Sequence, residues 1–143
     1  MCIIVLIYSM ESFLDKSKES LNSADILIKQ QYYASTVNRA YYGYFQFLMY
    51  TLFEKLNKDK TQFDVAANEN KESSHVRASN LIIVLIHNKL TSKKFKWFQS
   101  AIKELKQKRV SADYHNIATS PEESARCIEW ANELIECVKE NIK

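Results

Sequence analysis

Eight consecutive residues in the second half of the chain bring together five kinds of polar group. Segment 109–116 contains a guanidinium, a carboxylate, a phenol, an imidazole and an amide, and five residues separate Arg109 from His115. Histidine exchanges protons near neutral pH, and the arginine fork binds phosphate through two hydrogen bonds. A simpler explanation is helix-end electrostatics, because cations such as Lys106 and Lys108 are favoured near a helix C-terminus. Spacing and charge alone leave both interpretations open.

A long apolar helix predicted over residues 34–56 is the element that must position this segment. Its apolar residues recur with helical spacing, at Val37, Tyr41, Tyr44, Leu48 and Leu52. Further aromatic residues on its other faces predict that it is buried nearly all round. Asn38 and Arg39 interrupt the apolar surface, and an unpaired buried arginine is strongly destabilising. We therefore expect a carboxylate elsewhere in the chain to pair with Arg39.

The rest of the sequence predicts four more helices. They cover residues 11–29, 75–87, 93–109 and 121–141, and the last begins at a strong start signal, Ser120-Pro121-Glu122-Glu123. Residues 57–74 are rich in charges and amides and are predicted to form a mobile loop. One glycine and one proline among 143 residues also favour helices over tight turns. The predicted fold class is all-α, an up-and-down bundle of about five helices.

Length and composition limit the organisation of the chain and the classes of function open to it. A chain of 143 residues is the size of one domain, predicted over residues 11–143. Residues 1–10 are predicted to be an N-terminal extension or arm, unless Met10 is the natural start. Their apolar run is too short to cross a bilayer and lacks the features of a signal peptide, so we expect a cytoplasmic protein with no membrane partner. The net charge of +3 permits polyanion binding without requiring it.

Three segments resemble the HEPN domains (higher eukaryotes and prokaryotes nucleotide-binding), in particular their small stand-alone prokaryotic type. The stretch 34–45, with Arg39-Ala40-Tyr41-Tyr42, resembles the family's second-helix signature. Residues 109–114 resemble the family's Arg-x-x-Ala-Asp-Tyr motif. The spacing from Arg109 to His115 also resembles its ribonuclease motif, an arginine followed after four to six residues by a histidine. Residues 121–125 resemble the start of its last helix. The resemblance spans roughly residues 12–142, and the ordered combination of motifs is more specific than the Arg-to-His spacing alone.

This resemblance implies a metal-independent, toxin-like endoribonuclease without a cofactor, which acts as a homodimer and can be paired with a minimal nucleotidyltransferase antitoxin. Arg109 and His115 are the implied catalytic residues, for phosphate binding and for acid/base chemistry. The residues assigned to support them are Asp113, Tyr114, Arg39 and Asn116, and the possible cleft-lining residues are Asn38 and His75. Asp113 is the candidate partner of Arg39. No metal ligands are assigned.

Helix geometry favours a site shared between two chains. Positions six apart on a helix differ in direction by about 120°, so Arg109 and His115 of one chain need not converge on one phosphate. Two chains packed across a two-fold axis would line one cleft with both pairs. Two other classes of function stay open. One is a non-catalytic module that binds a nucleotidyltransferase or a nucleotide, and the other is a structural helical partner.

Overall fold

The computed structural model describes residues 12–143, which contain six α-helices and no β-strand. The helices are α1 (Phe13–Lys29), α2 (Tyr33–Met49), α3 (Lys60–Glu69), α4 (Ser74–Ile86), α5 (Ser92–Tyr114) and α6 (Pro121–Asn141). A π-helical turn, Tyr50–Lys55, continues α2, and a 3₁₀ turn, His87–Lys89, follows α4. The all-α prediction is confirmed. The predicted N-terminal extension and the alternative start at Met10 lie outside the described residues.

Helix α2 is the centre of the fold. It contacts α1, α4, α5 and α6, and the five apolar residues that predicted it are all buried. Because helices cover α2 on several sides, an apolar surface that extends nearly all round it becomes core. The predicted helix over residues 34–56 is therefore confirmed as α2 with its π-helical continuation.

Side-chain caps fix where several helices begin. Ser73 caps α4, Thr91 caps α5, and Ser120 caps α6, each by accepting a hydrogen bond from the third backbone N–H that follows it. At α6 the Glu123 carboxylate accepts in return from the Ser120 backbone N–H, which completes a capping box with Pro121 in the first turn. The predicted start of the last helix is confirmed.

The prediction of a mobile loop over residues 57–74 is wrong, because α3 lies within this segment. Asp59 caps this helix, and Phe63 and Ala67, one turn apart, are its buried residues. The Phe63 ring packs edge-on against Phe53, with 5.1 Å between centroids. Two apolar side chains at helical spacing are enough to dock a short helix, although the surrounding sequence is strongly polar.

Helix α5 is longer than the predicted helix over residues 93–109 and runs on through Tyr114. The expected joint between helices around residues 106–116 is therefore mostly the last turns of a 23-residue helix. No glycine or proline occurs between Arg109 and Tyr114 to end it earlier. Consequently Arg109 and Asp113 are neighbours on one helix face, while His115 lies just beyond its end.

Candidate functional site

Arg109 lies on the side of α5 that faces α2. Its guanidinium carbon is 4.8 Å from the centroid of the Tyr41 ring and 5.9 Å from that of Tyr42. The side chain is 11% exposed, and its Nη1 lies 3.7 Å from a carboxylate oxygen of Asp113. Its Nε is buried and has no hydrogen-bond partner within residues 12–143. Arg109 is therefore held by aromatic faces and one carboxylate, and keeps unused hydrogen-bonding capacity.

Asn38 connects Arg39 to Asp113. Its Oδ1 accepts hydrogen bonds from Arg39 Nε at 3.0 Å and from Nη2 at 2.7 Å. Its Nδ2 faces both Asp113 carboxylate oxygens, at 3.1 and 3.2 Å. The predicted direct ion pair between Arg39 and Asp113 is wrong, since the Asp113 carboxylate pairs with Arg109 on its own helix. The Asn38 amide instead hydrogen-bonds both residues. The side chains of Arg39, Asn38, Asp113 and Arg109 therefore form one polar chain between α2 and α5.

His75 packs against the aromatic part of α2. Its ring stacks on Phe45 with 4.0 Å between centroids, and its Nδ1 is 2.8 Å from the Tyr41 hydroxyl. Burial lowers the pKa of His75 below its ordinary value, and the positive charges of Arg109 and Lys106 lower it further. Burial raises the pKa of Tyr41 to about 12, against the opposing effect of Arg109. At pH 7 the pair is therefore a neutral imidazole and a neutral phenol.

His115 lies on a different side of α5 from Arg109. It ends the helix in an extended backbone conformation, and its N–H donates to the Ser111 carbonyl at 3.1 Å. The residue is exposed and lines a groove of about 570 Å³ on the outer side of α5. The other residues along this groove are Lys103, Lys106, Gln107, Val110 and Ser111. His115 thus has access to solvent and two lysines along the same groove, but Arg109 is not part of its wall.

The remaining predicted site residues are exposed around the end of α5. Tyr114 is 75% exposed, and Asn116 is exposed in the connection to α6. An ion pair between Lys108 and Glu123 joins the two helices on either side of this connection. The structure therefore brings Arg39, Asn38, Asp113, Arg109 and His75 together in one region of α2, α4 and α5. It places Tyr114, His115 and Asn116 together at the solvent-facing end of α5.

Sequence reasoning missed Tyr41 as a site residue. Its position in the helical repeat identified it as core, and it is 2% exposed. Its hydroxyl nevertheless contacts His75 and its ring lies under Arg109. The signal in the sequence was that this core position holds a tyrosine, because a buried hydroxyl needs a hydrogen-bond partner.

Two further properties concern metals and membranes. Within residues 12–143, no three His, Cys, Asp or Glu side chains come close enough together to ligate a metal ion. In the same part of the chain, no helix combines the length and the apolar composition needed to cross a bilayer.

Fold and site together define an all-helical protein with arginine, histidine and lysine side chains gathered around the C-terminal half of one helix. Residues 10–141 match the HEPN domain family, so the chain belongs to this family, and the resemblance found in its motifs is confirmed. The HEPN family includes ribonucleases. Comparison with curated proteins and with solved structures finds no match.

Proposed function

We propose that this HEPN-domain protein is a metal-independent, toxin-like endoribonuclease whose active site is a cleft shared by two chains. The observation that carries the proposal is the position of His115. It is exposed at the end of α5, in a groove with Lys103 and Lys106. Lysines along a groove attract a phosphate backbone, and an accessible imidazole supplies acid/base chemistry near neutral pH.

The proposed reaction uses the RNA 2′-hydroxyl as the nucleophile. A His115 imidazole removes its proton, and the 2′-oxygen forms a bond to phosphorus. The bond from phosphorus to the 5′-oxygen breaks, and the His115 imidazolium formed in the first step returns its proton to that oxygen. Arg109 stabilises the negative charge that develops on the phosphoryl oxygens. The products are a 2′,3′-cyclic phosphate and a 5′-hydroxyl.

A homodimer accounts for the separation of the two catalytic residues within one chain. Arg109 faces α2, whereas His115 lines the outer groove of α5. Two large apolar side chains near His115, those of Tyr114 and Ile117, are 75% and 73% exposed. Apolar groups exposed together mark an interaction surface, and a two-fold axis here would bring the two His115 side chains together.

The proposal predicts that two single substitutions remove cleavage without unfolding the protein. His115→Ala is expected to slow cleavage about 10²-fold or more, because it removes one acid/base group. Arg109→Ala is expected to cause a similar loss through weaker charge stabilisation. The assay uses purified protein with a synthetic oligoribonucleotide, in EDTA, with the matching DNA as a substrate that lacks the 2′-hydroxyl. His87→Ala is the matched control, since this exposed histidine hydrogen-bonds Asn88 and its ring lies edge-on to Phe95, outside the proposed site.

The alternative function is a non-catalytic module that binds a minimal nucleotidyltransferase antitoxin or a nucleotide. The observation that favours it is the 11% exposure of Arg109 and its pairing with Asp113, an arrangement suited to a structural ion pair. The same assay separates the two functions. Equal residual cleavage by the wild type and His115→Ala would reject the ribonuclease and favour the binding module.

A further inference from the structure

The contact between Tyr41 and His75 lies directly beside the arginine assigned to the phosphate. Tyr41 touches both neighbours: its hydroxyl is 2.8 Å from His75 Nδ1, and its ring lies 4.8 Å from the guanidinium carbon of Arg109. Phe45 holds the histidine ring from the other side, with 4.0 Å between the two centroids. A chain of contacts therefore runs from α4 through α2 to Arg109 on α5.

We propose that Tyr41 and His75 are positioning residues that together hold the Arg109 guanidinium in the orientation in which it binds an RNA phosphate. This inference deepens the proposed function and rests on its assignment of Arg109. It assigns the pair no contact with substrate. His75 acts through Tyr41, and Tyr41 acts through the face of its ring.

Aromatic support suits Arg109 because it has few other restraints. Its ion pair with Asp113 is long, at 3.7 Å, and its Nε makes no hydrogen bond within residues 12–143. A guanidinium lying over an aromatic ring is stabilised by about 0.5–2 kcal/mol, more where water is excluded. The orientation of the ring therefore determines where the guanidinium lies, and the hydrogen bond to His75 fixes the far end of that ring.

The pair works only while His75 is neutral. The charged and titratable groups that face it are Tyr41 and Tyr42 on α2 and Lys106 and Arg109 on α5. None of these groups is a carboxylate, so a protonated His75 would add a positive charge beside two cations. A protonated Nδ1 can only donate, so the Tyr41 hydroxyl oxygen would have to act as the acceptor in this contact. Acidification is therefore expected to weaken the contacts that hold the Arg109 guanidinium in its orientation.

The sign of the effect on stability follows from the same contacts. The pKa of His75 in the folded protein lies below the ordinary value of 6.5. Between that lower pKa and pH 6.5 the unfolded chain binds more protons than the folded one, so the free energy of unfolding falls as the pH falls through this window. Below the folded pKa, both states are protonated and His75 contributes no further change.

The test uses four variants: Tyr41→Phe, His75→Ala, His75→Asn and, as the matched control, His87→Asn. The probe is a fluorescent 2′-O-methyl oligoribonucleotide, which retains the phosphates but has no free 2′-hydroxyl to react. Tyr41→Phe and His75→Ala are expected to weaken binding about 2- to 10-fold at pH 7.5, the scale of one hydrogen bond. His75→Asn keeps an amide near the hydroxyl, so it should bind almost as tightly as the wild type but lose the weakening of binding seen in acid. His87→Asn should leave both affinity and pH dependence unchanged.

Two measurements keep a folding defect apart from a positioning defect. Thermal unfolding identifies any variant that is not folded at the assay temperature. The NMR signal of the Arg109 Nε–H, assigned by its absence in Arg109→Lys, should shift in folded Tyr41→Phe and His75→Ala but stay in place in His87→Asn. Unchanged affinity and an unchanged Arg109 signal in these two variants would overturn the inference while leaving the ribonuclease intact. A wild type that neither binds nor cleaves RNA would overturn both proposals.

Discussion

Asp113 is the residue on which the polar chain between α2 and α5 depends. Its carboxylate lies 3.7 Å from Arg109 Nη1 and accepts hydrogen bonds from the Asn38 amide. The side chains of Arg109 and Asp113 are only 11% and 22% exposed. Solvent therefore compensates little if the carboxylate is removed, and Arg109 would keep its positive charge without a partner.

Asp113→Ala is expected to lower the free energy of unfolding by about 1–3 kcal/mol, as measured by urea denaturation. The loss stays below that of an ideal buried pair, because the ion pair is long. The matched control is Asp64→Ala, which removes an i,i+4 ion pair with Lys60 whose side chains are more than half exposed. It should change stability by no more than about 0.5 kcal/mol. Equal effects of the two substitutions would contradict the structural role of Asp113.

The sequence predicted that Arg39 would lie near Asp113, but not how these residues and their neighbours would pair. Arg39 in an apolar helix indicated a carboxylate partner. Asp113 does lie close by, because it accepts a hydrogen bond from Asn38, the residue before Arg39. The pairing itself depended on how far α5 continues. Once the helix runs through Tyr114, Arg109 and Asp113 become i,i+4 neighbours, so Arg109 competes with Arg39 for the Asp113 carboxylate. His75 and Tyr41 are 34 residues apart, and local spacing carries no information about such a contact.

At the scale of elements, α1 and α2 approach each other closely at Gly43. A Cβ atom placed there would lie 2.6 Å from Leu21 Cδ2 and 2.7 Å from Leu21 Cγ. The Ser17 hydroxyl donates to the Gly43 carbonyl at 2.7 Å across the same contact. The glycine inside α2 therefore has a packing role, which outweighs its poor helix propensity.

Gly43→Ala is expected to destabilise the protein, although alanine is the better helix former. Overpacking of a core contact costs about 1–3 kcal/mol, and the gain in helix propensity returns about 1 kcal/mol of this. The measurement is a double-mutant cycle with Leu21→Ala, which removes the two atoms that the new methyl group would strike. The free energy of unfolding of the double variant should exceed the value expected from the sum of the single effects by at least about 1 kcal/mol. Additive effects would show that the helices separate freely at this point.

Periodicity predicted the elements of the fold better than it predicted their ends. The spacing of apolar residues in α2 and the start signal of α6 both correspond to observed helices. Helix α3 was missed because only Phe63 and Ala67 mark its buried side. The end of α5 was placed too early because Lys106, Lys108 and Arg109 resembled the cations of a final turn. A helix end is set by its tertiary contacts as much as by local charge.

At the scale of the whole molecule, the catalytic proposal depends on how two chains meet. Arg109 and His115 lie on different sides of α5, and the apolar side chains of Tyr114 and Ile117 are exposed beside His115. If the cleft is shared, each reaction centre takes its arginine from one chain and its histidine from the other. This arrangement makes a prediction that an active site within one chain does not make.

Mixing Arg109→Ala with His115→Ala, each inactive alone, is expected to restore cleavage. In a mixed dimer, one centre has lost both residues and the other has both intact. After random exchange of subunits, half of the dimers are mixed, so activity should recover to about a quarter of the wild-type value. The exchange is made by brief unfolding and refolding of an equimolar mixture, with light scattering to measure the fraction of dimer and oligonucleotide cleavage to measure activity.

Two further substitutions test whether the recovery depends on the proposed interface. Ile117→Asp in both variants should prevent dimerisation and recovery, because a carboxylate would replace an apolar side chain at the contact. Ile26→Asp is the matched control, since this residue is 61% exposed on α1, a different helix. It should leave the recovery intact. Mixed dimers contain no chain with both residues. Dimers that form normally but show no recovery would therefore mean that Arg109 and His115 must come from the same chain, which would remove the shared cleft from the mechanism.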